Sequence, residues 1–194
     1  MKRTASLFVL AFAFVAFATT AGAQSSGKFG IELAGIYATL SGDDFEGTDA
    51  GVGFDVQGRY AINPAFSLGA GVQRTTHGVE GFENDESVLG FFLEPRYNFT
   101  MSEGSNLAPF LSGRVAMINA SLEEGGSEAK ASGTLFGFGG GLQFQASPTI
   151  RLTGSVTYNI VNLGEVEIDG SEIPDSDASG SSLAVRFGVA FNFR

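Results

Sequence analysis

Few side chains in this chain of 194 residues could catalyse a reaction. The chain has no cysteine and a single histidine, His77, which excludes thiolate chemistry and any metal site that needs two histidines. His77 could activate Ser41 or Ser87 in a hydrolase, with an acid from a nearby connection. No local motif fixes that geometry, and a lone histidine at such a position is usually exposed. We therefore expect no enzymatic activity and no bound cofactor.

Eight charged residues stand out because they interrupt segments that are otherwise apolar or small. They are Glu32, Asp55, Arg59, Glu94, Arg96, Arg114, Arg151 and Arg186. A charge inside a narrow, poorly hydrated space must be compensated, and an arginine can hold a carboxylate through two hydrogen bonds. These residues predict a polar network that holds neighbouring segments together. A gated solute path lined by arginine is the alternative.

Acidic residues dominate the connections between these segments. The chain has 21 Asp and Glu against 11 Lys and Arg, a formal charge of −10, which argues against nucleic-acid binding. A solvated acidic fringe is the simplest interpretation, and a divalent-cation site is the alternative. The best cluster of oxygen ligands is Asp169, Glu172, Asp175 and Asp177. Their spacing does not match an EF-hand, so we assign no metal.

The elements that must position these side chains are strands, because apolar residues alternate with small or polar ones. Eight segments follow this pattern: residues 29–39, 52–62, 66–74, 89–99, 111–117, 136–144, 150–160 and 183–193. A tilted strand needs about 9–11 residues to cross a membrane. Long connections at 41–50, 77–86, 121–132 and 163–181 alternate with shorter ones at 63–65, 100–107 and 147–149. Both chain ends and the shorter turns therefore lie at one end of the structure.

The two faces of these strands predict which side is buried. The polar face consists mainly of Gly, Ala, Ser, Gln and Asn with isolated charges, which suits a cramped interior. The opposite face is apolar and carries almost no charge, Arg74 being the exception. Such a surface would aggregate in water but is required in lipid, where every strand edge must also be paired. We predict an all-β fold, a closed antiparallel eight-stranded up-and-down transmembrane barrel; a soluble periplasmic lipid-binding barrel is the alternative.

The lengths of the connections also predict strand register. If residues 40 and 51 flank the first long connection, Glu32 faces Arg59 on the next strand. Across the 100–107 turn, the same arithmetic places Glu94 opposite Arg114.

The first 23 residues have the features of a signal peptide. Lys2 and Arg3 precede an apolar run from Ala5 to Ala18, and Ala21-Gly22-Ala23 is a small-residue cleavage site. We therefore expect residues 1–23 to be removed and residues 24–194 to form the barrel domain.

Three stretches of the sequence carry a family resemblance: Leu93-Glu94-Pro95-Arg96-Tyr97, Pro109-Phe110 and the terminal Val189-Ala190-Phe191-Asn192-Phe193. They resemble the small OmpA/OmpX-type outer-membrane barrels, also grouped as porin-family or Opa-like proteins. The resemblance implies an integral outer-membrane protein that contacts outer-membrane lipid and lipopolysaccharide, and we expect it to be monomeric. It also implies insertion by the barrel-assembly machinery, which reads an alternating, aromatic-ended last strand. In this chain, the residues of that signal are Phe187, Val189, Phe191 and Phe193.

Members of this family differ in role, so fold alone does not select a function. We expect a structural or surface-interaction role, in envelope integrity or in adhesion through acidic extracellular loops. A narrow porin and a lipid-modifying outer-membrane enzyme are the alternatives, besides the soluble barrel.

Overall fold

The computed structural model describes residues 29–99, 105–125 and 127–193, and the expected signal peptide lies outside these ranges. The strands are β1 (Phe29–Ser41), β2 (Gly51–Ala61), β3 (Phe66–His77), β4 (Glu86–Asn98), β5 (Leu107–Glu124), β6 (Ser127–Gln145), β7 (Ile150–Leu163), β8 (Val166–Ile168), β9 (Ser171–Ile173) and β10 (Ala178–Phe193). A short 3-10 turn, Asp43–Phe45, follows β1. In the described part of the chain, no helix is long and apolar enough to span a membrane.

The eight long strands form a closed antiparallel barrel. The ring runs from β1 through β2, β3, β4, β5, β6 and β7 to β10, and β10 pairs back with β1. At the point of closure, Phe29 pairs with Tyr60 on β2 and with Phe193 on β10. The predicted fold class is therefore confirmed. The end with the short connections is called the turn end below, and the opposite end the loop end.

Two connections that the sequence predicts as long loops are largely strand. The pairing of β5 with β6 continues to Glu124 opposite Ser127, so residues 121–132 form the tip of an extended hairpin. Within residues 163–181, β8 and β9 form a small hairpin that adds to the edge of β6. Asp169 and Gly170 turn this hairpin with φ angles of 49° and 82°, a conformation that Asp-Gly sequences favour.

Alternation along the strands places large apolar side chains outside the barrel. Phe138 and Phe187 are 69% and 72% exposed, and Met117 is 72% exposed. A continuous surface of this kind would drive aggregation in water, whereas lipid tails would cover it at no cost. The exterior therefore has the chemistry of a membrane-facing surface.

The lumen is divided into two halves of different chemistry. The charged network fills the turn-end half, whereas the loop-end half is lined mainly by apolar side chains, together with the buried polar residues Thr75, His77 and Ser182. The buried apolar cluster at the loop end contains Phe45, Phe92, Ala116, Ile118, Leu135 and Val161. The interior of small and charged residues that the sequence predicted is thus correct for the turn-end half, whereas larger apolar side chains share the loop-end half.

Candidate functional site: the lumen

Glu94 is the centre of an ion-pair network in the turn-end half of the lumen. Its carboxylate accepts hydrogen bonds from Arg59 Nη2 at 2.6 Å, from Arg96 Nη2 at 2.9 Å and from Arg114 Nε at 2.9 Å. Glu94 and Arg96 share the inward face of β4, whereas Arg59 lies on β2 and Arg114 on β5. Glu94 is only 3% exposed, so one carboxylate joins three strands away from bulk water.

The other two acids extend the network across the barrel. Arg96 donates from both terminal nitrogens to Glu32 on β1, each at 3.3 Å. Arg114 Nη1 and Nη2 donate to Asp55 Oδ2 at 3.2 and 3.1 Å. Arg186 on β10 approaches the same oxygen at 3.4 Å. The network therefore links β1, β2, β4, β5 and β10.

Arg151 is the one residue of the predicted set that this network does not include. Its terminal nitrogens donate to Gln143 Oε1 and Asn192 Oδ1, both at 2.7 Å. No carboxylate of the described residues lies within ion-pair distance of it. The structure thus joins the other seven predicted lumen charges and leaves Arg151 bound to neutral amides.

The two register predictions have different outcomes. The prediction that Glu94 faces Arg114 is confirmed. Paired residues of β4 and β5 have numbers that sum to 208, as Leu93 and Val115 do, and Arg114 Nη2 lies 2.5 Å from Glu94 Oε2. The prediction that Glu32 faces Arg59 is wrong by two residues, because Glu32 pairs with Gln57. The first connection is longer than assumed, since pairing of β1 with β2 ends at residue 38. Arg59 Nε still lies 3.8 Å from Glu32 Oε2, on a diagonal.

Two inward aromatic rings support the network, and sequence reasoning missed both. The guanidinium carbon of Arg114 lies 3.8 Å from the ring centre of Phe92. The guanidinium carbon of Arg96 lies 4.0 Å from the ring centre of Phe110. A guanidinium over a ring face gains a favourable cation–π interaction. The signal was available, because Phe92 shares its strand parity with Glu94.

Glycines on the inward face make room for the long polar side chains. A Cβ at Gly69 would clash with the Gln57 amide and lie 2.9 Å from Arg59 Nη2. A Cβ at Gly137 would clash with the Asn159 side chain in the same way. This space accounts for Gly69 on β3 and Gly137 on β6, whereas a Cβ at Gly71, Gly139 or Gly141 would first meet a backbone carbonyl oxygen of the neighbouring strand.

The ring of His77 makes its hydrogen bonds with Asp49 and Thr75, and with neither Ser41 nor Ser87. The expectation that it is exposed is wrong, because only 3% of the residue is accessible. Its ring nitrogens lie 3.1 Å from the Asp49 carbonyl oxygen and 3.2 Å from Thr75 Oγ1. Ser87 instead accepts a hydrogen bond from Arg74 on the outer face, and Ser41 is exposed at the end of β1. Among the described residues, no serine side chain is hydrogen-bonded to His77.

The acids of the fourth long connection do not converge on a metal site. The described residues contain no group of three or more His, Asp or Glu side chains that could hold an ion, so Asp169, Glu172, Asp175 and Asp177 do not form a ligand set. Asp169 instead accepts a hydrogen bond from the Glu128 backbone N–H at 3.0 Å. That bond, followed by one from Ser127, lowers the pKa of Asp169 below its usual value.

The residues of the expected insertion signal lie on the outward face of β10. Phe187, Phe191 and Phe193 are exposed there, and Val189 shares their parity. The ring of Phe193 stacks on that of Phe29 across the closure, with centroids 6.1 Å apart. Their recognition by the assembly machinery stays a prediction.

Comparisons with known proteins agree with this architecture. The profile of a family described as outer membrane protein beta-barrel domain matches residues 7–193, and no curated protein matches the chain. Neisserial surface protein A is 20% identical, with a TM-score of 0.69 over 86% of this chain and 98% of its own. Ail, the attachment invasion locus protein of Yersinia pestis, is 16% identical, with a TM-score of 0.55 over 87% and 99%. OprG of Pseudomonas aeruginosa is 14% identical, with a TM-score of 0.53 over 87% and 97%. At these identities the three structures show a shared fold.

Proposed function

Because the chain belongs to the outer-membrane β-barrel family and is integral to the outer membrane, we propose that it is a closed structural barrel that presents an acidic surface outside the cell. The ion-pair network across the lumen carries this proposal. It favours a structural or surface-interaction role over a transport role.

The occluded lumen supports a barrel that does not conduct. Asp55, Gln57, Arg114 and Asn159 are among the largest fully buried side chains, and they lie where a solute would have to pass. The interior of an eight-stranded barrel is just wide enough for its side chains to fill. A solute path would require the Glu94 and Asp55 ion pairs to break together.

The loop end supports the surface role because backbone contacts hold its connections together. Asp49 N donates to the Gly78 carbonyl at 2.8 Å, and Glu80 N donates to the Gly47 carbonyl at 2.9 Å. The sequence places 17 of its 21 acids in the four long connections, with Lys130 as their only base. An ordered anionic surface of this kind fits a partner with a cationic surface, because opposite potentials attract and orient two molecules. The name of Ail refers to attachment, a precedent for surface roles on this fold.

Single-channel recording in planar lipid bilayers tests the closed lumen. We expect the purified barrel to show no stepwise conductance. A Glu94→Gly, Arg114→Gly double variant removes the central ion pair and is the positive control, in which we expect steps. Steps in the unmodified protein that disappear when Arg59 and Arg96 are neutralised would instead favour a narrow porin.

Binding of poly-lysine to the barrel in nanodiscs tests the acidic surface. Replacing Glu165, Glu167 and Glu172 with glutamine should weaken binding, and added salt should weaken it further. The matched control replaces the same three residues with aspartate, which keeps the charge. Equal binding by the glutamine and aspartate variants would contradict an electrostatic surface role.

Lipid analysis tests the enzymatic alternative. Because His77 is buried and its ring nitrogens contact Asp49 and Thr75 instead of Ser41 or Ser87, we expect a His77→Ala variant to leave the lipid A profile of the cells unchanged. A changed profile would restore the lipid-modifying enzyme as the better account.

A further inference from the structure

At the loop end, β5, β6, β8 and β9 form a four-stranded sheet that extends beyond the apolar exterior of the barrel. Ala129 on β6 pairs with Ile168 on β8, which in turn pairs with Ser171 on β9. Phe136 is the last outward apolar residue of β6 before this sheet, and Lys130 lies roughly 20 Å further along the strand. The sheet therefore stands outside the hydrocarbon layer, in contact with water.

One face of the β8–β9 hairpin is apolar. Val166 and Ile173 lie directly opposite each other, and Ile168 continues the same face one row further from the barrel. Ile168 and Ile173 are 42% and 41% exposed. An apolar side chain of a partner laid on this face would remove both isoleucines from water, which favours association.

The opposite face of the hairpin carries acids with too few cations to balance them. Lys130, Glu167 and Glu172 occupy neighbouring positions on β6, β8 and β9. Lys130 makes its ion pair with Glu128, at 2.7 Å. No cation of the described residues lies within ion-pair distance of Glu167 or Glu172. Like charges directly opposite each other destabilise a sheet, so a basic side chain at the next strand position, beside Glu172, would be attracted.

Within the described ranges, β9 pairs only with β8 and leaves its other edge open. Asp169-Gly170 is a two-residue turn, in which the flanking Ile168 and Ser171 exchange backbone hydrogen bonds. Asp169 N points the other way and donates to a carbonyl of β6 at 3.1 Å. The same alternation directs the N–H and C=O of Glu172 to the open edge. A short edge with an acid at its centre repels a second copy of itself but accepts a strand with an opposing basic side chain.

We propose that the β8–β9 hairpin is a docking edge for an extended segment of a partner protein in which basic and apolar side chains alternate. The segment pairs with the backbone of Glu172, places a basic side chain beside that carboxylate and an apolar one beside Ile173. Strand addition of this kind takes affinity from backbone hydrogen bonds and specificity from alternate side chains. The inference rests on the proposed surface role and defines the chemistry of the partner.

Amide NMR of the barrel in phosphatidylcholine nanodiscs tests the docking edge with three end-capped peptides of five residues. Lys-Val-Lys-Val-Lys has the alternation, Lys-Lys-Val-Val-Lys has the same composition without it, and pentalysine is purely basic. We expect saturable shifts of the Ser171 and Ile173 amides, with an affinity for the alternating peptide about fivefold higher than for the other two. Equal affinities for the first two peptides would overturn the docking edge, even if all three bind. Pentalysine that binds nowhere at the loop end would contradict the proposed surface role instead.

Variants of the hairpin separate the apolar contact from the backbone contact. Ile173→Gln should weaken binding of the alternating peptide about tenfold. Phe82→Gln is the matched control, because Phe82 is 49% exposed in a different connection, and it should leave the affinity unchanged.

Glu172→Gln removes only the charge, whereas Glu172→Pro also removes the N–H at the open edge, so the proline variant should bind the peptide more weakly. Amide spectra of β6 and β8 recorded without peptide check that the hairpin is intact in each variant. Unchanged affinity in Ile173→Gln, or equal affinities in the two Glu172 variants, would contradict the assignment.

Discussion

Replacing Glu94 with glutamine tests whether the lumen ion pairs stabilise the barrel. The substitution keeps the size of the side chain but removes the charge that faces Arg59 at 2.6 Å, and Arg96 and Arg114 at 2.9 Å. Removing one partner of a buried ion pair costs about 3–5 kcal/mol, because the other charge stays buried without compensation. Arg96 keeps Glu32 and Arg114 keeps Asp55, so we expect the lower end, about 3 kcal/mol.

Reversible urea unfolding from phospholipid vesicles measures this loss, with far-ultraviolet circular dichroism as the readout. Glu123→Gln is the matched control, because it makes the same change in charge at an exposed position of β5. We expect the control to stay within about 0.5 kcal/mol of the parent, as surface substitutions usually do. Equal free energies of unfolding for the Glu94 and Glu123 variants would refute a stabilising role for the network.

Three further predictions concern other parts of the barrel. Phe138→Lys should lower the free energy of unfolding in vesicles by about 2–4 kcal/mol, the cost of a lysine near the bilayer midplane. Gly164→Lys, between β7 and β8, is the control, and a smaller loss in Phe138→Lys than in this control would contradict the assignment of Phe138 to the lipid-facing surface. Because the pKa of Asp169 is lowered, its hydrogen bond with the Glu128 amide is fully present above the ordinary aspartate pKa and is lost as the pH falls through the depressed value. The Asp169 amide, which donates to the Glu128 carbonyl at 3.1 Å, should therefore lose protection against hydrogen exchange, relative to its intrinsic rate, as the pH falls below about 4, and unchanged protection would contradict this linkage. Phe193→Ala should slow assembly into the outer membrane, as judged by the fraction of heat-modifiable barrel after a pulse of synthesis, and an unchanged fraction would contradict an insertion signal.

Alternation in the sequence was sufficient to predict the eight barrel strands, though not their full lengths, and the face of each lumen charge. Glu94, Arg96 and Arg114 all point inward as their parity requires, and the apolar partners of the alternation point outward. Successive side chains of a strand point to opposite faces of the sheet. Once the apolar residues identify the outer face, the residues between them are therefore assigned to the inner face.

The sequence could not determine the height of each residue along the barrel. The pairing of Glu32 with Arg59 failed because the residues at which the first connection begins and ends depend on the fold of that loop, including the turn at Phe45. The network around Glu94 depends on distances across the lumen between non-adjacent strands. The alternation pattern gives the face of each side chain but not these distances. The inward Phe92 was missed because apolar residues occur on both faces at the loop end.

The extension of the β5–β6 hairpin and the β8–β9 hairpin each have a turn signal in the sequence. Glu124 and Ser127 flank a pair of glycines, and Asp169-Gly170 separates two short alternating segments. Such pairs favour tight turns with positive φ, so both connections could have been predicted as hairpins.

Fluorescence quenching by brominated phospholipids tests the central claim most directly, namely that the apolar face meets lipid and the charged face fills a closed interior. The chain has no tryptophan, so single substitutions provide unambiguous probes. Phe138→Trp places the probe on the outer face, and Phe92→Trp places it inside, next to Arg114. The account predicts strong quenching of the first and little quenching of the second. Equal quenching, or the reverse order, would contradict it.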